Sequence, residues 1–275
     1  MKRTATEILR RGFNNALANW PLILIRIAEG IVFIGIIIAS VIAAIVPLAL
    51  SFGLSRSSMS NPADAAEAVL GALAAHWMVL LYLLVVITLV FVILTAIHSF
   101  VNAGSALVYV DAERRTLAMP AATRNDFRAF TGERWFAGAK DGWWTVFWIY
   151  NIGWGVGGLI RMLPLFVVLF AMFALRGAGA PAIFAAGCIG AAISAMWILA
   201  VAIVTNICCE KGIVDCMARP LGASAALSDA WREMRTDTGR HVAVAVVMMA
   251  IAFAGSMFFS SFSWIGSFNH NAGLS

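Results

Sequence analysis

Residues 77–97 read WMVLLYLLVVITLVFVILTAI, an apolar run with no charged position. At about 1.5 Å of rise per helical residue it covers roughly 30 Å, the thickness of a bilayer's hydrocarbon core. The two-residue alternation of a membrane barrel strand is missing, so the run predicts a transmembrane helix. Four more runs of this kind follow the same logic: Ile31–Leu50, Leu159–Leu175, Ala182–Ile203 and Val242–Phe262. Composition points the same way, because 62% of the 275 residues are hydrophobic and only 12% are charged, against about a quarter charged in a soluble domain. The predicted fold class is therefore all-α: a polytopic helical membrane protein with about five transmembrane helices and amphipathic interfacial helices, forming one integral membrane domain over residues 1–275.

Charge predicts the orientation. Most of the 19 Lys and Arg residues lie in three segments: Lys2, Arg3, Arg10 and Arg11; Arg114, Arg115, Arg124, Arg128, Arg134 and Lys140; and Lys211, Arg219, Arg232, Arg235 and Arg240. The intervening connections carry only Arg56 and Arg176. Positive residues stay on the cytoplasmic side, so a multi-pass cell inner-membrane protein is expected with its N-terminus inside and, after five crossings, its C-terminus outside. The net charge of +5 follows from this asymmetry and does not call for a nucleic-acid partner. The expected partners are the lipid bilayer and, as an open alternative, other membrane-protein subunits. Arg26 and Glu29 interrupt the approach to the first span, whose length exceeds a signal-peptide core, so a retained first helix is expected. Cys208, Cys209 and Cys216 fall on the reducing side and Cys188 within a span, so no disulfide framework is expected.

A weak repeat organises the chain. A basic segment with a bulky aromatic leads into a span three times: from Ile8 to Trp20, from Phe130 to Trp143, and from Ala226 to His241. Ala96-Ile97 and Leu107-Val108 in the second span match Ala202-Ile203 and Ile213-Val214 in the fourth, and in both the helical character continues beyond the membrane. Repeat-like units at 1–115 and 125–220, with a half unit at 221–275, describe this rhythm. The helix ending at Glu210, the linker Pro220-Leu221-Gly222-Ala223 and the lead-in Ala226-Leu227-Ser228-Asp229-Ala230-Trp231 resemble bacterial membrane families grouped around the glycerophosphoryl diester phosphodiesterase membrane domain. The catalytic domain sometimes attached to that membrane domain is absent from this sequence, so the resemblance implies a fold type and no reaction.

Ionisable residues inside spans are costly and often functional. Arg26 and Glu29 are three positions apart and share a helix face, so they are expected to pair. Arg161 has two placements. If Trp143, Trp144 and Trp148 lie along the interface and Gly153, Gly155, Gly157 and Gly158 form a bend, it enters at the cytoplasmic face; a single tilted helix over 143–175 carries it toward the outer face. Aromatic belts mark interfaces and glycines relax the backbone, which favours the bend. His98 lies at the cytoplasmic end of the second span, where a hydrogen bond to Asn102, Ser99 or a neighbouring helix is expected. A bis-histidine haem needs a second histidine at that depth, and His76, His241 and His270 do not supply one. Cys208, Cys209, Glu210, Asp215 and Cys216 lack paired zinc-ligand spacing, so no metal and no cofactor is expected. Arg26, Glu29, His98, Asn102, Arg161 and Glu210 remain as a candidate polar cluster.

Small-residue stripes, Gly35-Ala39-Ala43 and Gly187-Ala191-Ala195, predict close helix contacts. No nucleophile elbow, phosphate-binding loop or metalloprotease helix occurs. The expected function is a non-catalytic structural, accessory or assembly component of a membrane system. The alternative is a small transporter or lipid-handling protein with its polar site near the cytoplasmic face. A lipid-headgroup enzyme rests only on scattered residues such as Asp111, Asp215 and His98.

Overall fold

The computed structural model describes residues 4–51, 77–119, 122–177 and 179–239, with 242–244, 246, 247 and 250. Among the described residues the chain is helical throughout its ordered elements. Helix α1 (Ala5–Ala18) starts at Thr4, whose hydroxyl accepts from the Glu7 N–H at 3.3 Å. It stops before Pro21, which has no N–H to donate and disfavours helical geometry at the residue before it. Asn19 fills the corner. Its amide nitrogen donates to the Asn15 and Phe127 carbonyls, and its oxygen accepts from the Ala129 and Phe130 N–H groups. Four backbone polar groups in a buried turn are satisfied by one side chain.

Helices α2 (Pro21–Ser51), α3 (Trp77–Thr116), α4 (Gly132–Ala174) and α5 (Ala180–Ala218) follow, then α6 (Ala223–Thr236). A 3-10 turn, Arg124–Phe127, precedes α4, and another, Leu175–Gly177, follows it. The Thr123 N–H and hydroxyl donate to the Asp126 carboxylate at 2.8 and 2.7 Å, closing the first of these turns. They hold that carboxyl below its ordinary value. Gly179, with φ of 90°, makes the left-handed step into α5.

Among the described residues four helices are long and apolar enough to cross a membrane: Pro21–Ala44, Leu81–Thr116, Gly132–Ala174 and Phe184–Ala218. This is a multi-pass membrane protein. The fifth predicted span, Val242–Phe262, lies almost entirely outside the described residues. With 40, 43 and 39 residues, α3, α4 and α5 are each about twice as long as a hydrocarbon core is thick.

Burial shows how those lengths divide. One core cluster joins Ala103, Ala106, Val146, Ile149, Tyr150, Cys209, Ile213 and Ala226, and a second joins Leu22, Val108, Ala112, Ala122, Phe127 and Ala129. Both lie at the end of the bundle that carries the basic segments. Toward the other end, Leu84, Ile87, Leu159, Phe166, Phe170, Ile193 and Met196 are all exposed, the pattern of helices facing lipid rather than one another. The molecule thus has a packed end and an apolar end.

The structure corrects two expectations. The glycine cluster is no bend: α4 runs unbroken from Gly132 to Ala174. Gly153 and Gly157 instead let α5 approach, since a Cβ on Gly153 would fall on the Cys209 sulfur and one on Gly157 would lie 2.5 Å from Thr205 Oγ1. The glycines relieve helix packing, and Pro164 sits within the continuous helix. The small-residue stripes are also partly displaced. Gly35, Ala39 and Ala43 are exposed, as are Ala191 and Ala195, while the close contacts of α5 fall one register earlier, at Gly190 against Val168 and at buried Ser194. The two repeat-like units also differ at their start: α1 and α2 are separated by the Asn19 corner, whereas α4 has no such break.

Candidate functional site

Where the packed end meets the apolar end, α2, α3, α4 and α5 each contribute polar side chains to one hydrogen-bonded chain. Arg26 and Glu29, one turn apart on α2, pair at 2.9 Å. The Arg26 guanidinium also donates to the Asn102 side-chain oxygen on α3. The Glu29 carboxylate meets His98 Nδ1 at 2.7 Å, and His98 Nε2 faces the Asn102 amide nitrogen at 2.9 Å. That nitrogen also donates to the Tyr150 hydroxyl on α4 at 2.7 Å, and Tyr150 donates to Glu210 on α5 at 3.1 Å.

Proton positions follow from the partners. Arginine can only donate, so the Asn102 oxygen faces Arg26 and its NH2 faces His98 and Tyr150. His98 Nε2 is then an acceptor, and Nδ1 carries the proton given to Glu29. Arg26 with Glu29 forms the charged pair. Glu29 is buried, with a side chain only 6% exposed, whereas Arg26 and His98 are 37% and 28% exposed. Aromatic rings wall the group: His98 lies 5.0 Å from Tyr150, 6.2 Å from Trp154 and 6.2 Å from Phe33, centroid to centroid.

Five of the six residues expected to cluster are brought together. Arg161 is not among them. It lies eleven positions beyond Tyr150 on α4, roughly 16 Å along the axis, beside a cavity of about 370 Å³ lined by Phe91, Asn151, Trp154, Gly155 and Arg161. Its Nε is buried without a hydrogen-bond partner among the described residues. Conversely, Tyr150 is the link between Asn102 and Glu210, and Trp154 stacks on His98, yet neither stood out in the sequence. The available signal was helical spacing, since Tyr150 and Trp154 are one turn apart on a face shared with Val146 and Gly157.

Arg11 has a position that its charge alone did not reveal. Almost fully buried, it donates to Glu113 at 3.1 Å and to the carbonyls of Thr116 and Met119 at 3.1 and 3.3 Å. It stands over the Phe127 ring at 5.0 Å. The guanidinium thereby caps the C-terminal end of α3, where helix carbonyls lack partners and a cation is favoured. Other basic residues are also engaged: Arg134 with Asp111 at 2.5 Å, Lys211 with Glu233 at 2.5 Å, and Arg219 with Asp229 at 3.4 Å.

Cys209 is buried beside the Ile149 carbonyl, and Cys208 contacts Met234. Among the described residues no three His, Cys, Asp or Glu side chains are grouped to hold a metal ion. A second cavity, an apolar groove of about 510 Å³, runs between α4 and α5 under α6, from Trp197 and Ile160 to Leu227 and Trp231. Comparison with known protein families, with curated proteins and with solved structures gives no match for this chain.

Proposed function

We propose that the chain is a non-catalytic protein of a bacterial inner membrane, a structural, accessory or assembly component of a larger membrane system. The observation that carries this is the closure of the polar network. Arg26, Glu29, His98, Asn102 and Tyr150 use their hydrogen-bonding groups on one another. Such a network ties α2, α3 and α4 together at one level and reaches α5 through the Tyr150–Glu210 hydrogen bond, and internally satisfied polar groups specify packing. The apolar end, with its exposed Gly35-Ala39-Ala43 stripe, is then completed by lipid and by partner subunits. In this proposal the basic, packed end is cytoplasmic, with α1 and α6 as amphipathic helices at its surface, and the C-terminus is outside. The grouping with the glycerophosphoryl diester phosphodiesterase membrane-domain families belongs to the same proposal, supported by the break at Pro220 and by α6 over Ala226–Trp231, whereas α5 continues past Glu210 to Ala218 instead of ending there.

Affinity purification in mild detergent tests the function. Stoichiometric recovery of one or more other membrane proteins is expected. A chain always recovered alone, which nonetheless drives solute flux in proteoliposomes, refutes the accessory role. The apolar groove under α6 favours one second reading, a lipid-handling protein, because it opens among membrane helices and has almost no polar lining. Lipid exchange between labelled vesicles by the purified chain, abolished on filling the groove with Ala200→Trp at its exposed wall, distinguishes it.

A further inference from the structure

We propose that the cavity at Arg161 is a binding site for an organic carboxylate, a singly charged head on an apolar body. Arg161 lies thirteen positions from Trp148, the last of the Trp143-Trp144-Trp148 group, and thirteen from Ala174, where α4 ends. With the tryptophans at an interface, about 20 Å of helix carries Arg161 roughly two-thirds of the way across a hydrocarbon core about 30 Å thick. An arginine near a membrane surface extends its guanidinium to water. Arg161 is half-buried beside the cavity, and its Nε is out of solvent contact and without a partner among the described residues.

Intramembrane cations are ordinarily neutralised by a pair. The carboxylates of the described network are committed elsewhere, Glu29 to Arg26 and His98, and Glu210 to Tyr150. Arg161 is the single charged residue of the five that line the cavity. At about 370 Å³ the space is within the roughly 300–1,000 Å³ of small-molecule sites. A planar guanidinium matches a carboxylate bidentately, and one positive charge balances one negative. The walls select the body: Phe91 and Trp154, with ring centroids 6.3 Å apart, offer apolar faces, and Gly155 leaves open space where a side chain would otherwise stand. This site goes beyond the accessory role and does not depend on it. The carboxylate has two sources, a fatty acid arriving from the bilayer or a soluble arylalkanoate arriving from water.

Native mass spectrometry of the full chain in mild detergent tests the site with three probes: dodecanoate, 4-phenylbutyrate and methyl dodecanoate. At least one carboxylate is expected to bind one per chain, about tenfold or more tighter than the neutral ester, as for a charge-assisted hydrogen bond. Binding of dodecanoate alone identifies the bilayer source; binding of 4-phenylbutyrate, alone or as well, identifies an aqueous one. Arg161→Gln is expected to abolish the preference for acid over ester. Gly155→Leu, which fills the cavity without a backbone clash and keeps the arginine, is expected to abolish binding, and it decides the matter if Arg161→Gln does not elute as a single species. Equal binding of acid and ester, no carboxylate bound, or unchanged binding in Gly155→Leu overturns the proposal.

Discussion

Replacing Tyr150 with phenylalanine removes one oxygen from the centre of the polar network and leaves the ring in place. The ring keeps its contacts with His98 and Trp154, at 5.0 and 4.7 Å between centroids, so packing changes little. Two hydrogen bonds disappear. The one from Asn102 is buried, and its loss leaves one amide hydrogen without an acceptor, a cost of about 1–2 kcal/mol. The one to Glu210 ends on an exposed carboxylate that water can resolvate, so its loss costs only about 0.5–1 kcal/mol. The expected destabilisation is therefore about 1.5–3 kcal/mol, toward the lower figure because hydrogen bonds between membrane helices average about 0.6 kcal/mol. Reversible unfolding in mixed micelles, followed by tryptophan fluorescence, measures it. A double-mutant cycle isolates the link to α5: Tyr150→Phe and Glu210→Gln should couple by about 0.5–1 kcal/mol, whereas Tyr150→Phe and Arg134→Gln, at separate places on the bundle, should be additive. A Tyr150→Phe chain within about 0.3 kcal/mol of the parent, with no coupling to Glu210, refutes the network as a clamp.

Arg11→Met retains the apolar stem but removes the cap of α3, leaving carbonyls at Thr116 and Met119 without their donor. A loss of about 2–4 kcal/mol is expected in the same assay, and a loss under about 0.5 kcal/mol would show that the cap is dispensable. Leucine at two glycines should give opposite results: Gly157→Leu overpacks the α4–α5 contact at Thr205 and costs about 1–3 kcal/mol or more, while Gly35→Leu, facing open space, stays within about 0.5 kcal/mol in the isolated chain. Asp126 has a depressed carboxyl, so its contribution is complete above the ordinary aspartate value near 3.9 and is lost as pH falls through its lower folded value. Hydrogen exchange at 123–128 should lose protection over that acid interval in the parent, and Asp126→Asn should remove the pH dependence.

The membrane class and the four described spans were legible because a run such as 77–97 has no other stable use for so many uninterrupted apolar residues. The Arg26–Glu29 pair was legible from local spacing, and the depth of His98 brought it to its neighbours. The path of α4 was not. Gly153 to Gly158 reads locally as weakness in a helix, and only the presence of Thr205 and Cys209 on a helix some fifty residues later turns it into a packing surface. Long-range satisfaction was equally invisible at Arg11 and Asn19: topology predicts the side of the membrane on which an arginine lies, but its burial beneath the last turn of α3 depends on a fold the local sequence does not specify. The small-residue stripes held only in part: Gly187 faces Met172 and the Ala43 carbonyl accepts from Tyr82, but Gly35, Ala39, Ala191 and Ala195 are exposed, since spacing of four identifies a smooth face without saying that a neighbour lies on it.

An unbroken α4 is also a lever. A jointed element would absorb a change in bilayer thickness at its hinge, whereas a 43-residue rod about 64 Å long passes it on. A tilt of about 10° swings one end by roughly 11 Å relative to the other. Because α4 also packs on α5 in its apolar half, at Val168 against Gly190, a change of tilt there is shared by two long helices that both reach the packed end.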